Sequence, residues 1–143
     1  MSGAQTGWFV WALASAAFAA ATAIFAKLGV AGVPSDLATL IRTLVILPVL
    51  AAFVTLTGQW MAPSAIPGRT WLFLALSGLA TGASWLCYFR ALQIGEAARV
   101  APVDKLSVVL VAIFAVIFLG ESLDAKAMIA IAMIAGGVVL LAL

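Results

Sequence analysis

Five apolar runs, each about long enough to cross a bilayer, take up most of this 143-residue chain. They cover about residues 8–28, 36–57, 70–89, 100–119 and 125–143. A spanning helix needs roughly 20 mainly apolar residues. The runs are continuously apolar and rich in Ala and Leu, so the alternation of a membrane β-barrel is absent. Composition fixes the solvent. Only 8% of the residues are charged and 66% are hydrophobic, whereas a soluble domain carries about a quarter charged residues. The sequence predicts an all-α integral membrane protein, one domain folded as a bundle of five transmembrane helices, with its N- and C-termini on opposite faces. Little chain is left for a soluble domain, and no motif-level repeat is visible. The segment "ASAAFA" resembles a leader cleavage site. No Lys or Arg precedes its apolar run, however, and the run is too long for a signal core, so it is read as a span.

The residue inventory excludes several chemistries. The chain has no histidine and one cysteine, Cys87. Metal sites and Cys/His nucleophiles therefore lack material. No Ser/Lys pair has a supporting context, so an intramembrane enzyme is not expected. No cofactor is expected either. A net charge of +2 gives no argument for nucleic acid.

Punctuation marks the span ends. Ser35 is expected to cap the second helix, Gly120 to stop the fourth, and Ser122 or Asp124 to cap the fifth. Glu121 is read first as capping and interface polarity. Trp60 and Trp71 flank a loop with two prolines and two glycines, as an aromatic belt would. Spans associate in lipid by close packing. Gly78 and Gly82 form a GxxxG in the third span, Ala12, Ala16 and Ala20 line one face of the first, and Ala132 and Gly136 repeat the spacing in the fifth. These faces are contact surfaces, within the chain or between copies.

The charges cluster. Let the N-terminus lie on face one. Eight of the twelve charged residues (Lys27, Asp36, Arg42, Arg90, Glu96, Arg99, Asp104 and Lys105) then fall at or near face two. Arg69, Glu121, Asp124 and Lys126 lie near face one. Arg42 sits about 9 Å into its span, and Asp104 and Lys105 about 6 Å if the fourth span starts at Val100. Lys27 is near a span end and is expected to snorkel. A basic residue at a helix centre costs about 2.5–3.5 kcal/mol on insertion scales, so Arg42 needs a partner or a wet cavity.

Two readings of the fourth span are open. If its helix starts at Pro102, Asp104 is a first-turn anion and Lys105 a snorkelling cation. If it starts near Ala97, Pro102 bends it, and Asp104 lies deep enough to pair with Arg42. The second reading gives Arg42 a partner. Either way, Asp104, Lys105, Arg42 and Lys27 are the candidate substrate or coupling residues. Trp85, Tyr88, Ser107 and Thr39 are candidate walls of a polar vestibule. Aromatic walls with a few placed polar groups suit a small solute.

The stretch "ASWLCYFRALQIGEAARVAPVDKLSVVLVAIFAVIFLGESL" resembles the EamA-type domain of the drug/metabolite transporter superfamily. The resemblance rests on Tyr88 to Leu92 (aromatic-x-x-Ala-Leu), Gly95, Pro102, the apolar span, and Gly120 with Glu121. The first span is similar to the family's opening helix. The resemblance implies secondary transport of a small polar or amphipathic metabolite, commonly export, by alternating access in a bacterial or archaeal plasma membrane. Larger members resemble two five-helix halves in inverted topology, and this chain looks like one half. A homodimer would supply the other, and an antiparallel one fits, since two antiparallel copies of an odd-spanning chain can imitate an inverted repeat. The alternative is a non-transporting subunit that completes another half-transporter. The Asp104–Lys105 pair is more charged than most relatives carry there. The first helix lacks the carboxylate of the four-helix multidrug relatives, so their route for proton-coupled cation export does not carry over. Arg90 and Arg99, in the link at face two, balance Arg69 and Lys126 near face one, and that weak bias fits dual topology. An excess of positive charge at face two favours an anionic or zwitterionic solute.

Overall fold

The computed structural model describes residues 3–143 and is 83% helical, with no strand among them. The helices are α1 (Gly3–Gly29), α2 (Ser35–Leu56), α3 (Gly68–Ile94), α4 (Ala97–Asp104), α5 (Ser107–Phe114) and α6 (Ala125–Ala142). A 3₁₀ turn at Pro63–Ala65 precedes α3, and a π turn at Ala115–Leu119 follows α5. Five segments are long and apolar enough to cross a membrane, with α4, α5 and the π turn together making the fourth, Ala97–Leu119. A bilayer offers the backbone no hydrogen bonds, so each crossing must satisfy its own amides, and the helix does this.

By contact the chain divides into two units. One is Phe25–Ile94; the other joins the chain before Phe25 to Gly95–Leu143. In the first unit α2 packs on α3. Its core is small: Leu92 is 0% and Val30 2% exposed, with Ala26, Phe89, Ser35 and Thr39 also buried. The buried hydroxyl of Thr39 donates back to the Ser35 carbonyl at 2.9 Å, so it enters the core satisfied. In the second unit α6 packs on α4 and α5, burying Ala115 and Val138.

Boundaries depart from the sequence reading where polar groups find partners. The third helix runs five residues past Phe89, to Ile94. Its last turn is held from outside: Lys27 Nζ donates to the Leu92 carbonyl at 2.6 Å, and Gln93 Nε2 donates to the Val33 carbonyl at 3.0 Å. Lys27 therefore turns inward to a helix C-terminus and does not only snorkel, because a cation there meets carbonyls left without helical partners. Ser35 is not the cap of α2. Pro34 holds that position, and the Ser35 hydroxyl donates to Asp36 Oδ1 at 3.3 Å.

The fourth span begins at Ala97, with Pro102 inside the helix. Asp104 is thus the last residue of α4, not a first-turn anion. Pro102 has no N–H for the Ala98 carbonyl. Just beyond it the chain tightens to i→i−3 bonds, with Lys105 N–H to Pro102 O at 2.9 Å and Leu106 N–H to Val103 O at 3.0 Å. Two more such bonds, Val108 to Lys105 and Val109 to Leu106, lead into α5. The span ends at Gly120, whose φ of 68° is left-handed and whose amide bonds the Ala115 carbonyl. Glu121 N–H reaches the same carbonyl at 3.2 Å. Asp124 caps α6, accepting from the Ala127 amide at 2.7 Å.

The small-residue faces stand open. Gly78 is exposed, and no atom lies within 4 Å of a Cβ built at Gly78, Gly82 or Gly136. Ala12, Ala16 and Ala20 are exposed as well.

Space is also open around Gly120, so a side chain there meets only the backbone penalty of left-handed φ. Gly120→Ala is expected to lower stability by about 1–2 kcal/mol. Gly120→Asn should lose less, because Asn tolerates that region. Thermal unfolding of the two variants in one detergent checks this, and equal melting would contradict it.

Candidate functional site

On α2, Ser35, Thr39 and Arg42 follow at i, i+4 and i+7, one helix face. On α3, Trp85, Phe89 and Leu92 follow with the same spacing. α2 and α3 pack together, and the two stripes meet. The Arg42 guanidinium carbon lies 4.3 Å from the centroid of a Trp85 ring and 5.4 Å from that of Phe89. A deep cation thus finds aromatic faces where the sequence offered a carboxylate. Such contacts contribute roughly 0.5–2 kcal/mol, most when desolvated.

The contact with the rings does not consume the hydrogen-bond donors of the guanidinium, which remain a planar fork. Within the Phe25–Ile94 unit, Arg42 forms no ion pair. That fork suits a carboxylate or phosphate, which it can hold bidentately. The hydroxyls beside it are already committed as donors: Thr39 to Ser35 O and Thr43 to Thr39 O, each at 2.9 Å. Toward a solute they can only accept. Half-buried Tyr88 lies on the same helix as Trp85.

The remaining candidates belong to the other unit. Lys105 Nζ is 3.3 Å from Asp104 Oδ2, so the adjacent charges pair with each other. Ser107 is exposed at the first position of α5. Arg99 and Glu96 form a second local pair at 3.5 Å. Arg42 and Asp104, expected as partners, lie in different units, and each is engaged by neighbours in its own. A cavity of about 420 Å³ lies between α5 with its π turn and α6, lined by Val109, Ala112, Val116, Met128 and Ile131 among others. Its lining side chains are apolar, so it has no side-chain donor with which to orient a polar solute.

Phe89 and Leu92 were not among the sequence candidates. The signal was present: they stand at i+4 and i+7 from Trp85, matching the polar stripe on α2. Among the described residues no group of His, Cys, Asp and Glu could hold a metal ion.

Comparison with known proteins finds a family and a relative. The model of the EamA-like transporter family matches residues 6–143. A protein of Sinorhizobium sp named "Uncharacterized transporter in cobO 3'region" is 70% identical over 135 residues, covering 94% of this chain and 96% of that one. No solved structure matches.

Two substitutions test the local geometry. Lys27→Met removes a charged hydrogen bond to a buried helix end and is expected to cost about 1–3 kcal/mol. Trp85→Leu removes the nearer aromatic face and should cost about 0.5–2 kcal/mol through the lost cation–π contact alone. Unfolding midpoints in detergent measure both. An unchanged midpoint for Trp85→Leu would mean that the stacking does not hold Arg42.

Proposed function

The chain belongs to the EamA-like transporter family, and from that premise we propose that it is a secondary transporter exporting a small polar or amphipathic metabolite, anionic or zwitterionic, by alternating access. The observation that carries the reading is Arg42, a charged residue in a span whose donor fork is unspent within its own unit. A cation at that depth costs too much to be ornamental. It lies over aromatic rings, and a guanidinium fork has the geometry that carboxylates and phosphates take. Trp85, Phe89 and Tyr88 supply the aromatic wall that a small-solute site usually has. Lys27 fixes the end of α3 on which those rings stand, a positioning role. Asp104 and Lys105 form a second polar pair beside the break in the fourth span, with Ser107 just beyond it, and are the coupling candidates.

The working unit is a dimer of half-transporters in a plasma membrane. The open Gly78 and Gly82 face supports this, because small residues let a second helix approach closely. An antiparallel pair would present the Arg42 site once toward each face, related by a two-fold axis, which gives alternating access a physical basis. The same open face favours one other reading, a non-transporting subunit that completes another half-transporter.

Reconstituted protein is expected to move labelled small anions or amino acids across liposomes. Arg42→Gln should cut that flux about tenfold or more, since losing charge-assisted hydrogen bonds costs about 1.5–3 kcal/mol. Asp104→Asn should also reduce it. Absence of flux for every solute in the wild type would sink the transporter reading. C-terminal reporters active only inside or only outside the cell should both give signal. Signal from inside alone would remove the antiparallel dimer and move the subunit reading forward.

A further inference from the structure

Arg42 is held by rings that attract its charge but do not cancel it. The Phe25–Ile94 unit carries four basic residues, Lys27, Arg42, Arg69 and Arg90, against one acidic residue, Asp36, a net charge of +3. Asp36 does not compensate Arg42. It stands six residues earlier on the same helix, which places it about 9 Å away along the axis and on a different face. Its carboxylate accepts from the Ser35 hydroxyl instead. Asp104 belongs to the other unit and is paired with Lys105 at 3.3 Å. A guanidinium does not deprotonate in proteins, so Arg42 cannot shed its charge when the site empties.

Alternating access passes through a state in which the site is sealed from water on both sides. Sealing an empty site would isolate a lone cation with its donors unspent, and burying an unpaired charge is strongly unfavourable. Sealing the site with a carboxylate or phosphate on the fork isolates a paired, hydrogen-bonded group instead. The two transits therefore have different barriers, and the loaded one is lower.

We propose that this protein is an anion exchanger: the Arg42 site changes its access only with an anion bound, so each anion moved in one direction is matched by an anion returning. This deepens the transport reading of Arg42 and rests on it. It narrows the solute from anionic or zwitterionic to a net anion. It also assigns the driving force to a gradient of the counter-anion, with no separate coupling ion needed at this site.

Wild-type protein in proteoliposomes tests it. One set is filled with unlabelled acetate, succinate, glutamate and inorganic phosphate. The other holds dextran sulfate, a polyanion too large to enter the site, as its only internal anion. Uptake of the same four species in radiolabelled form is compared after subtracting protein-free vesicles. Uptake into the anion-filled set is expected to exceed that into the dextran sulfate set by about tenfold or more, the ratio given by about 1.4 kcal/mol of barrier difference. Equal uptake into both sets would leave transport standing and overturn exchange. No uptake into either would overturn the transport reading and exchange with it.

Discussion

A bilayer gives a backbone amide nothing to bond to, and every feature of this chain answers to that constraint. The spans are helical because helices satisfy themselves. Where the helix fails, a local substitute appears. Pro102 withdraws one donor, and the chain beyond it tightens into i→i−3 bonds before α5 resumes. At the far end of the same span one carbonyl, that of Ala115, receives the amides of both Gly120 and Glu121. Where α3 ends, its Leu92 carbonyl is met by Lys27. Lys27, Gln93 and Asp124 in this way serve backbone groups that the helices leave without partners.

Arg42 differs from these. It substitutes for no backbone group. It lies over Trp85 and Phe89, in a stripe that also holds the back-bonded hydroxyl of Thr39. The burial of Thr39 and Leu92 is ordinary packing; a guanidinium over two aromatic rings is not. Any uncharged side chain would insert into the span more easily than this one.

The five crossings were legible because length and apolarity alone specify them. The family was legible in the run from Tyr88 to Glu121. The break between α4 and α5 was half legible: Pro102 announced a disturbance, and the start near Ala97 was one of two readings, but a proline does not say on which side the helix yields. The partner of Arg42 was not legible. Charge arithmetic pointed to a carboxylate, yet Asp104 had a neighbour of opposite sign one residue away. Trp85 stood at matching helical spacing on the antiparallel neighbour. Charge alone did not point to the rings, because an aromatic face attracts a cation without adding a second charge to desolvate. Ser35 misled for a similar reason: it is a good cap residue, but Pro34 occupies the cap.

The π turn at Ala115–Leu119 has a consequence for how this lineage can change. Closing a helical ring over five residues instead of four stores one surplus residue in the last turn of the span. The span thus holds one residue more than α geometry would, without a longer loop. Removing that residue takes a single-codon deletion within those five positions. Such a deletion would return the turn to α geometry and rotate Gly120 and everything after it by about 100° relative to Ser107. Relatives that differ by one residue here would therefore share the same five crossings and yet present different sides of the fourth span to α6.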